Sequence, residues 1–456
     1  MILTRKTVQK QNMVGNLFSN QQLRVLIWPL ILEQVLVMSV GLTDTVMVST
    51  VGEAAVSGVS LVDMISQLMI SVLAALATGG AVIAAQFLGG KRYKEASATA
   101  NQLFLVLLIF SICVAIPVLI FREAIITGVF GPLEPKVMQS SVTYLWISAL
   151  SFPFLALYNG GGALFRAMGN SKMTLKVALL MNVINIISNS ILIFGLNMGV
   201  AGSAFGSLIA RACSALIINL LLRNKNYLIH YQPWKKIGIQ KEIIRKILFI
   251  AIPSGIEGGI FQIGRILVVS IIAGFGTTQI AANAVANNFD GLGIIPGGAM
   301  MLAMITVVGQ CVGAGDYEQA EYYIKKLMKI TYLAFLIWDG FLILTLPWTI
   351  QIYSLSPETI DLAIKLIYIH DGMAILLWPA SFVLPNALRA GNDVRYTMVV
   401  SVLSMMIFRL FFSYLLGVRL GMGAMGVWIA MTIDWTFRNI FFIGRYFSRK
   451  WQKVRM

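Results

Sequence analysis

The sequence contains the same pattern twice. Pro29, Glu33, Gly52, Gln86, Gly89, Tyr93, Ala96, Gly199 and Gly202 return as Pro253, Glu257, Gly276, Gln310, Gly313, Tyr317, Ala320, Gly423 and Gly426, each displaced by 224 residues. A constant displacement over most of both halves marks a duplication. Each half is a succession of long apolar runs: hydrophobic residues make up 58% of the chain, charged residues only 12%, and the mean hydropathy is +0.81. A water-soluble domain has no surface for that balance, so most of the protein faces lipid. The pattern predicts an all-α integral membrane protein of two lobes with a solute site between them.

A helix needs roughly 20 apolar residues to cross the hydrocarbon. About twelve runs qualify, at approximate limits 24–50, 57–86, 97–120, 140–160, 174–195, 199–222, 247–273, 279–311, 322–346, 359–388, 396–417 and 422–446. The polar, Gln- and Asn-containing segment 1–23 precedes a first span too long for a signal peptide, so it is expected to remain in place. The longest polar stretch, 223–246, joins the repeats. It separates an N-lobe at 24–222 from a C-lobe at 247–446, and a basic tail follows at 447–456. Six spans return the chain to its starting side, so the lobes are expected to be parallel six-helix bundles related by an axis along the membrane normal.

Basic residues set the orientation. One set of loops holds 27 of the 35 lysines and arginines, in groups such as Arg5, Lys6, Lys10 and Arg24, Lys91, Arg92 and Lys94, Lys235 and Lys236, and Arg445 to Arg455. The opposite set holds Arg122, Lys136 and Arg419. Both termini are therefore expected on the cytoplasmic side. The formal charge of +16 is a topology signal; no stretch outside the membrane is long enough for a nucleic-acid-binding domain. Cys113, Cys213 and Cys311 lie in or beside apolar runs without metal-ligand spacing and read as packing residues. In span eight, Pro296 among Gly291, Gly293, Gly297 and Gly298 predicts a bend.

Ionisable groups inside spans are costly and must face a cavity or a partner. The first lobe has Glu33 and Asp44 on span one, Asp63 on span two and Arg211 on span six. Glu33 and Asp44 are eleven residues apart, about three turns, and share a helix face. Either both serve a site or each is satisfied by a structural partner. The second lobe has Glu257 and Arg265, Asp290, Asp339, His370 and Asp371, Arg409, and Asp434 with Arg438. Glu257 is the repeat image of Glu33, and the pair suits a substrate cation. Arg265, Asp290, His370 and Asp371 are a possible C-lobe network; neutralised ion pairs and a packed histidine are the plainer alternatives. On span five Asn182, Asn185 and Asn189 are either interhelical glue or, beside Asp44, oxygen ligands for a monovalent ion or partners of a proton-accepting carboxylate.

At these residues the chain resembles the multidrug and toxic compound extrusion (MATE) family over nearly its whole length, closer to DinF-like than to NorM-like members. The likeness rests on Pro29 followed by Asp44-Thr45-Val46-Met47-Val48, on Gln86-Phe87-Leu88-Gly89-Gly90, on Leu164-Phe165-Arg166-Ala167-Met168-Gly169-Asn170, on Ile193-Phe194-Gly195 with Gly199 and Gly202-Ser203-Ala204, and on the counterparts Pro253, Gln310 and Leu388-Arg389-Ala390-Gly391-Asn392. The resemblance implies a secondary antiporter of the plasma membrane (the bacterial inner membrane), a multi-pass monomer. It would export amphipathic, often cationic drugs or metabolites in exchange for H⁺ or Na⁺, with no other cofactor, by alternating access. It makes Asp44 the coupling carboxylate with Asn185 beside it, and places Asn189 and Ser207 where DinF-like members often carry aspartate and threonine. The span-ten aspartate of NorM-like members is replaced by Trp378. Cavity residues expected from charge and softness are Glu33, Glu257, Met38, Gln34 and Trp378, with Met47, Met300, Met301 and Met304 nearby. A lipid-linked oligosaccharide or peptidoglycan-precursor flippase is the alternative, but a pyrophosphate cargo favours a basic cavity. An intramembrane enzyme would need a catalytic constellation, and two histidines without a Gly-x-Ser-x-Gly or His-Glu-x-x-His arrangement do not supply one.

Overall fold

In hydrocarbon every backbone N–H and C=O must find its partner inside its own segment, which leaves helices as the natural outcome for isolated apolar runs. The computed structural model describes residues 16–233, 238–353 and 355–454. All regular structure among them is helical. Arg5, Lys6, Lys10, Lys235, Lys236 and Arg455, used above for orientation, lie outside the described residues. The chain forms two compact units, Met1–Gly255 and Ile256–Met456.

The first unit contains spans one to six: Asn20–Ser49, Glu53–Gly89, Tyr93–Ile120, Pro135–Ala167, Ser171–Asn189 continued by a π-helical turn Ser190–Gly195, and Gly199–Leu221. A short helix, Arg122–Phe130, links spans three and four. Span four is the hub, packed against spans two, three and six, while span one lies on span five and span five on span six. Span seven, Lys241–Ala273, crosses from the first unit into the second.

The second unit continues with span eight, which is broken into Thr277–Gly293 and Ile295–Gly313. Pro296 sits in the first turn of the second piece, so the break falls where the proline and its glycines predict it. Span nine is Tyr317–Thr349. Span ten runs Pro357–Trp378, through a π-helical turn Pro379–Val383, to Ala390. Span eleven starts as Val394–Leu403 and continues in π-helical turns to Arg419, and span twelve is Gly423–Phe447. Among the described residues ten helices are long and apolar enough to cross a membrane. The other two spans of the twelve, ten and twelve, are the ones that carry His370 with Asp371 and Asp434 with Arg438.

The duplication extends to backbone conformation. Gly199 (φ +56°) and its counterpart Gly423 (φ +61°) both enter their helices with the positive φ that glycine adopts without strain. Gly202 and Gly426 repeat a packing device: a Cβ would come within 3.0 Å of the Leu192 backbone at one and 2.7 Å of the Leu416 backbone at the other. Each absent side chain lets a helix press directly on the π-helical end of its neighbour.

Candidate functional site

Four of the residues singled out in the sequence converge in the first unit. Asn185 and Asn189 lie one turn apart on span five and so share a face. That face meets span one at Asp44 and span six at Ser207. Asn189 Nδ2 donates to Asp44 Oδ1 at 2.6 Å, and the Ser207 hydroxyl donates to Asp44 Oδ2 at 3.4 Å. Asn185 Nδ2 donates to Ser207 Oγ at 3.1 Å, and Asn189 Nδ2 also reaches Asn185 Oδ1 at 3.3 Å. The two asparagines and the serine are buried, while Asp44 is half-buried. Asn189 fits because position 206 is glycine: a Cβ there would overlap its Oδ1.

Two further charges belong to this site. Arg211, one turn beyond Ser207, donates to Ser151 Oγ at 2.6 Å, and its charge acts on both Asp44 and Asp63. Asp63 and Arg211 stood out in the sequence only as ionisable groups in apolar spans. Nothing in their spacing joined them to Asp44.

Glu33 and Glu257 are placed differently from the substrate carboxylates expected. Arg166 Nη1 lies 3.1 Å from Glu33 Oε1, and Thr174 Oγ1 donates to Oε2 at 2.6 Å. Arg389 Nη2 lies 2.6 Å from Glu257 Oε1, and its Nη1 donates to Asn386 Oδ1 at 2.8 Å. Each glutamate is thus neutralised by the arginine of the Leu-Phe-Arg or Leu-Arg motif in its own repeat. Met38 and Gln34 are half-buried on span one. Trp378, expected beside a cavity, is buried in a row of rings between Phe335 (5.1 Å) and Phe382 (4.8 Å), against Gly297. Met47, Met300 and Met304 are buried too, so three of the expected soft residues are core.

In the second unit Asp290, His370 and Asp371 do come together. His370 Nε2 lies 2.8 Å from Asp290 Oδ1, and Nδ1 lies 2.7 Å from Asp371 Oδ1. Arg265, exposed on span seven, contributes charge to Asp290 without a close contact. Asp434 and Arg438 form a separate pair at 3.1 Å, with Ser404 also donating to Asp434 and the guanidinium over the Phe382 ring.

Comparison with known proteins bears on the family and the fold. The MatE family profile matches residues 29–191 and again 253–415, one match per repeat. The chain is 30% identical over 443 residues to the uncharacterized transporter YisQ of Bacillus subtilis, covering 93% of this chain and 94% of that one. It is 26% identical over 435 residues to the probable multidrug resistance protein NorM of Thermotoga maritima, covering 92% and 90%. Among solved structures, a MOP superfamily transporter from Pyrococcus furiosus superposes with a TM-score of 0.88 at 20% identity, covering 95% of this chain and 97% of that one. An outward-facing MATE family transporter superposes at 0.86, also at 20% identity, with the same coverage of both chains. At that identity the likeness bears on the fold alone. With its duplicated match and its twelve helical spans, the chain belongs to the MATE family of multi-pass membrane transporters, and its place is the plasma membrane.

Proposed function

We propose that the protein is a secondary antiporter that exports amphipathic organic cations by alternating access, as a single chain, with Asp44 as the carboxylate that couples transport to an inward cation gradient. The observation that carries this reading is the half-buried Asp44 held by Asn189 and Ser207 across three spans. A charge set in such a place is costly unless it is used or paired. Here the contacts come from neutral donors, and Arg211 acts at longer range. Export of organic compounds is supported by relatives named as multidrug resistance proteins.

Of the two coupling ions, H⁺ fits the donors better. Asn189 and Ser207 turn an N–H and an O–H toward Asp44, whereas a bound Na⁺ would need their oxygens turned inward. Asn189 Oδ1, buried and without a hydrogen-bond partner among the described residues, favours the Na⁺ reading, because one amide rotation would present it.

Exchange demands that substrate and cation favour different states of the carrier, since a ligand that binds both equally shifts nothing. Asp44→Asn removes the cation's differential binding and preserves side-chain size. Dye or drug flux in proteoliposomes, with pH and Na⁺ gradients imposed separately, tests this. The expected result is that Asp44→Asn abolishes gradient-driven efflux while substrate binding persists. Wild-type efflux by the variant overturns the assignment, and flux driven by Na⁺ alone replaces the proton with sodium. A parallel assay with a lipid-linked precursor separates a flippase from a drug exporter.

A further inference from the structure

The second unit buries more ionisable groups than its fold requires. Asp339 on span nine is fully buried, and neither of its carboxylate oxygens has a hydrogen-bond partner among the described residues. Oδ2 of Asp371, also buried, has none either. Both side chains converge on Gly293, at the break in span eight: a Cβ there would sit 3.2 Å from Asp339 Oδ1 and 3.5 Å from Asp371 Oδ1. Beyond Asp371 lies His370, and beyond His370 lies Asp290. The imidazole is further enclosed edge-on by Trp428 at 5.6 Å and Trp435 at 5.2 Å.

The duplication supplies an internal control. With Gly52 and Gln86 fixed against Gly276 and Gln310, Asp290 corresponds to Ser66; with Tyr93 and Ala96 against Tyr317 and Ala320, Asp339 corresponds to Ala115. His370 and Asp371 fall on Ile147-Ser148-Ala149, according to whether the start or the end of the span is aligned. Ala115, Ile147 and Ala149 belong to one hydrophobic cluster of the first unit. The same bundle is therefore built there from small or apolar uncharged side chains, and the charges of the second unit are not needed for its packing.

We propose that Asp290, Asp339, His370 and Asp371 form a second proton-binding site, in which the proton rides on Asp339 beside the Asp371 carboxylate. An unpaired carboxylate charge buried among apolar groups costs several kcal/mol, and a bound proton removes that charge. His370, clamped between Asp290 and Asp371, fixes the orientation of Asp371. The charges that act on Asp339 are Asp371, His370 and Asp290. Arg265 of span seven and Arg409 of span eleven act on Asp290, at the other nitrogen of the imidazole, and Asp434 and Arg438 act on Arg409. Loading adds a proton to the Asp339 carboxylate from one side of the membrane and unloading returns it to the other, with an O–H bond alone formed and broken.

Where the proton sits is independent of the exchange reading above; what it does in transport rests on that reading, and two arms keep them apart. Infrared spectra of the purified full-length protein in lipid should show the carbonyl stretch of a protonated carboxylic acid that is lost in Asp339→Asn and shifted in Asp339→Glu or Asp371→Asn. A full-strength, unshifted band in all three overturns the site, and Asp339→Glu serves if the asparagine variant does not fold. In proteoliposomes the H⁺-to-substrate ratio, read from the gradient that just reverses flux, should fall by about one proton in Asp339→Asn. An unchanged ratio overturns the transport role even where the band is lost. If the wild type shows no exchange at all, the antiport reading fails while the infrared arm still decides the site.

Discussion

At position 206 a single hydrogen in place of a methyl group decides whether the amide cage around Asp44 can close. The Asn189 amide occupies the space a Cβ would take, and the Asn189 backbone N lies 3.0 Å from the same point. Gly206→Ala should therefore push Asn189 off Asp44 while leaving Asp44 itself intact. The expected outcome is gradient-driven efflux reduced about tenfold or more, equivalent to ~1.4 kcal/mol or more in the transport barrier. Overpacking should cost a further ~1–3 kcal/mol of stability, seen as a lower melting temperature. Wild-type flux in this variant would separate the amide from coupling. Asn189→Ala, which removes the donor without adding bulk, should share the transport defect and largely spare the melting temperature. Asp44 and the asparagines could be found in the sequence because polar groups in a run of leucine and isoleucine stand out, and one helical turn between Asn185 and Asn189 fixes their common face. Asp63, Arg211 and Asp339 stood out equally as charges, but their partners lie on other helices at unrelated separations, and spacing along a chain carries no information about distance between helices.

Between helices, the duplicated ion pairs tie the start of each repeat to its middle. Glu33 joins span one to Arg166 at the end of span four and to Thr174 on span five, and Glu257 joins span seven to Arg389 at the end of span ten. Recurrence of this pair in both repeats, with the glutamate displaced by 224 residues and the arginine by 223, argues for a structural staple of each bundle. Removing one partner of a largely buried pair leaves the other charge uncompensated, which costs about 3 kcal/mol. Glu33→Gln and Glu257→Gln should each lower stability by about that amount. They should weaken cationic and neutral substrates alike. The double variant Glu33→Gln with Arg166→Gln should recover part of the loss in a double-mutant cycle of thermal stabilities. A selective loss of cationic substrates in Glu257→Gln, with unchanged melting, would return that glutamate to the substrate site. The broken helix of span eight was legible from Pro296 and its glycines, whereas the π-helical turns of spans five, ten and eleven were not. A π turn adds one residue without changing the hydrophobic pattern, so the pattern of apolar residues does not mark it.

Across the whole chain the two repeats keep one backbone and divide the chemistry between them. Asp44, Asn185 and Asn189 have Val268, Arg409 and Ser413 as counterparts, while Asp290 and Asp339 answer to Ser66 and Ala115. Apart from the arginine-paired Glu33 and Glu257, each unit thus places these carboxylates where the other is uncharged, so a proton held in one does not meet a symmetric competitor in the other. For such an arrangement to export, the membrane must be crossed in one orientation only, and the basic residues argue for which. Lys91, Arg92 and Lys94 lie at the junction of spans two and three, and Lys325, Lys326 and Lys329 lie in the first four turns of span nine. Lysine and arginine are retained on the cytoplasmic side during insertion, so both groups should face the cytoplasm. Twelve crossings then return the C-terminal tail, with Arg445, Arg449, Lys450 and Lys453, to that same side. A single cysteine placed at Lys91, in a background freed of Cys113, Cys213 and Cys311, should resist a membrane-impermeant maleimide in intact cells and react once the membrane is opened. A cysteine at Glu358, at the start of span ten, should react in intact cells. Reversal of both results would invert the protein in the membrane and turn an inward proton gradient into a force for uptake; labelling of both from outside would mean that the number of crossings between them is even and that the twelve-span assignment is wrong.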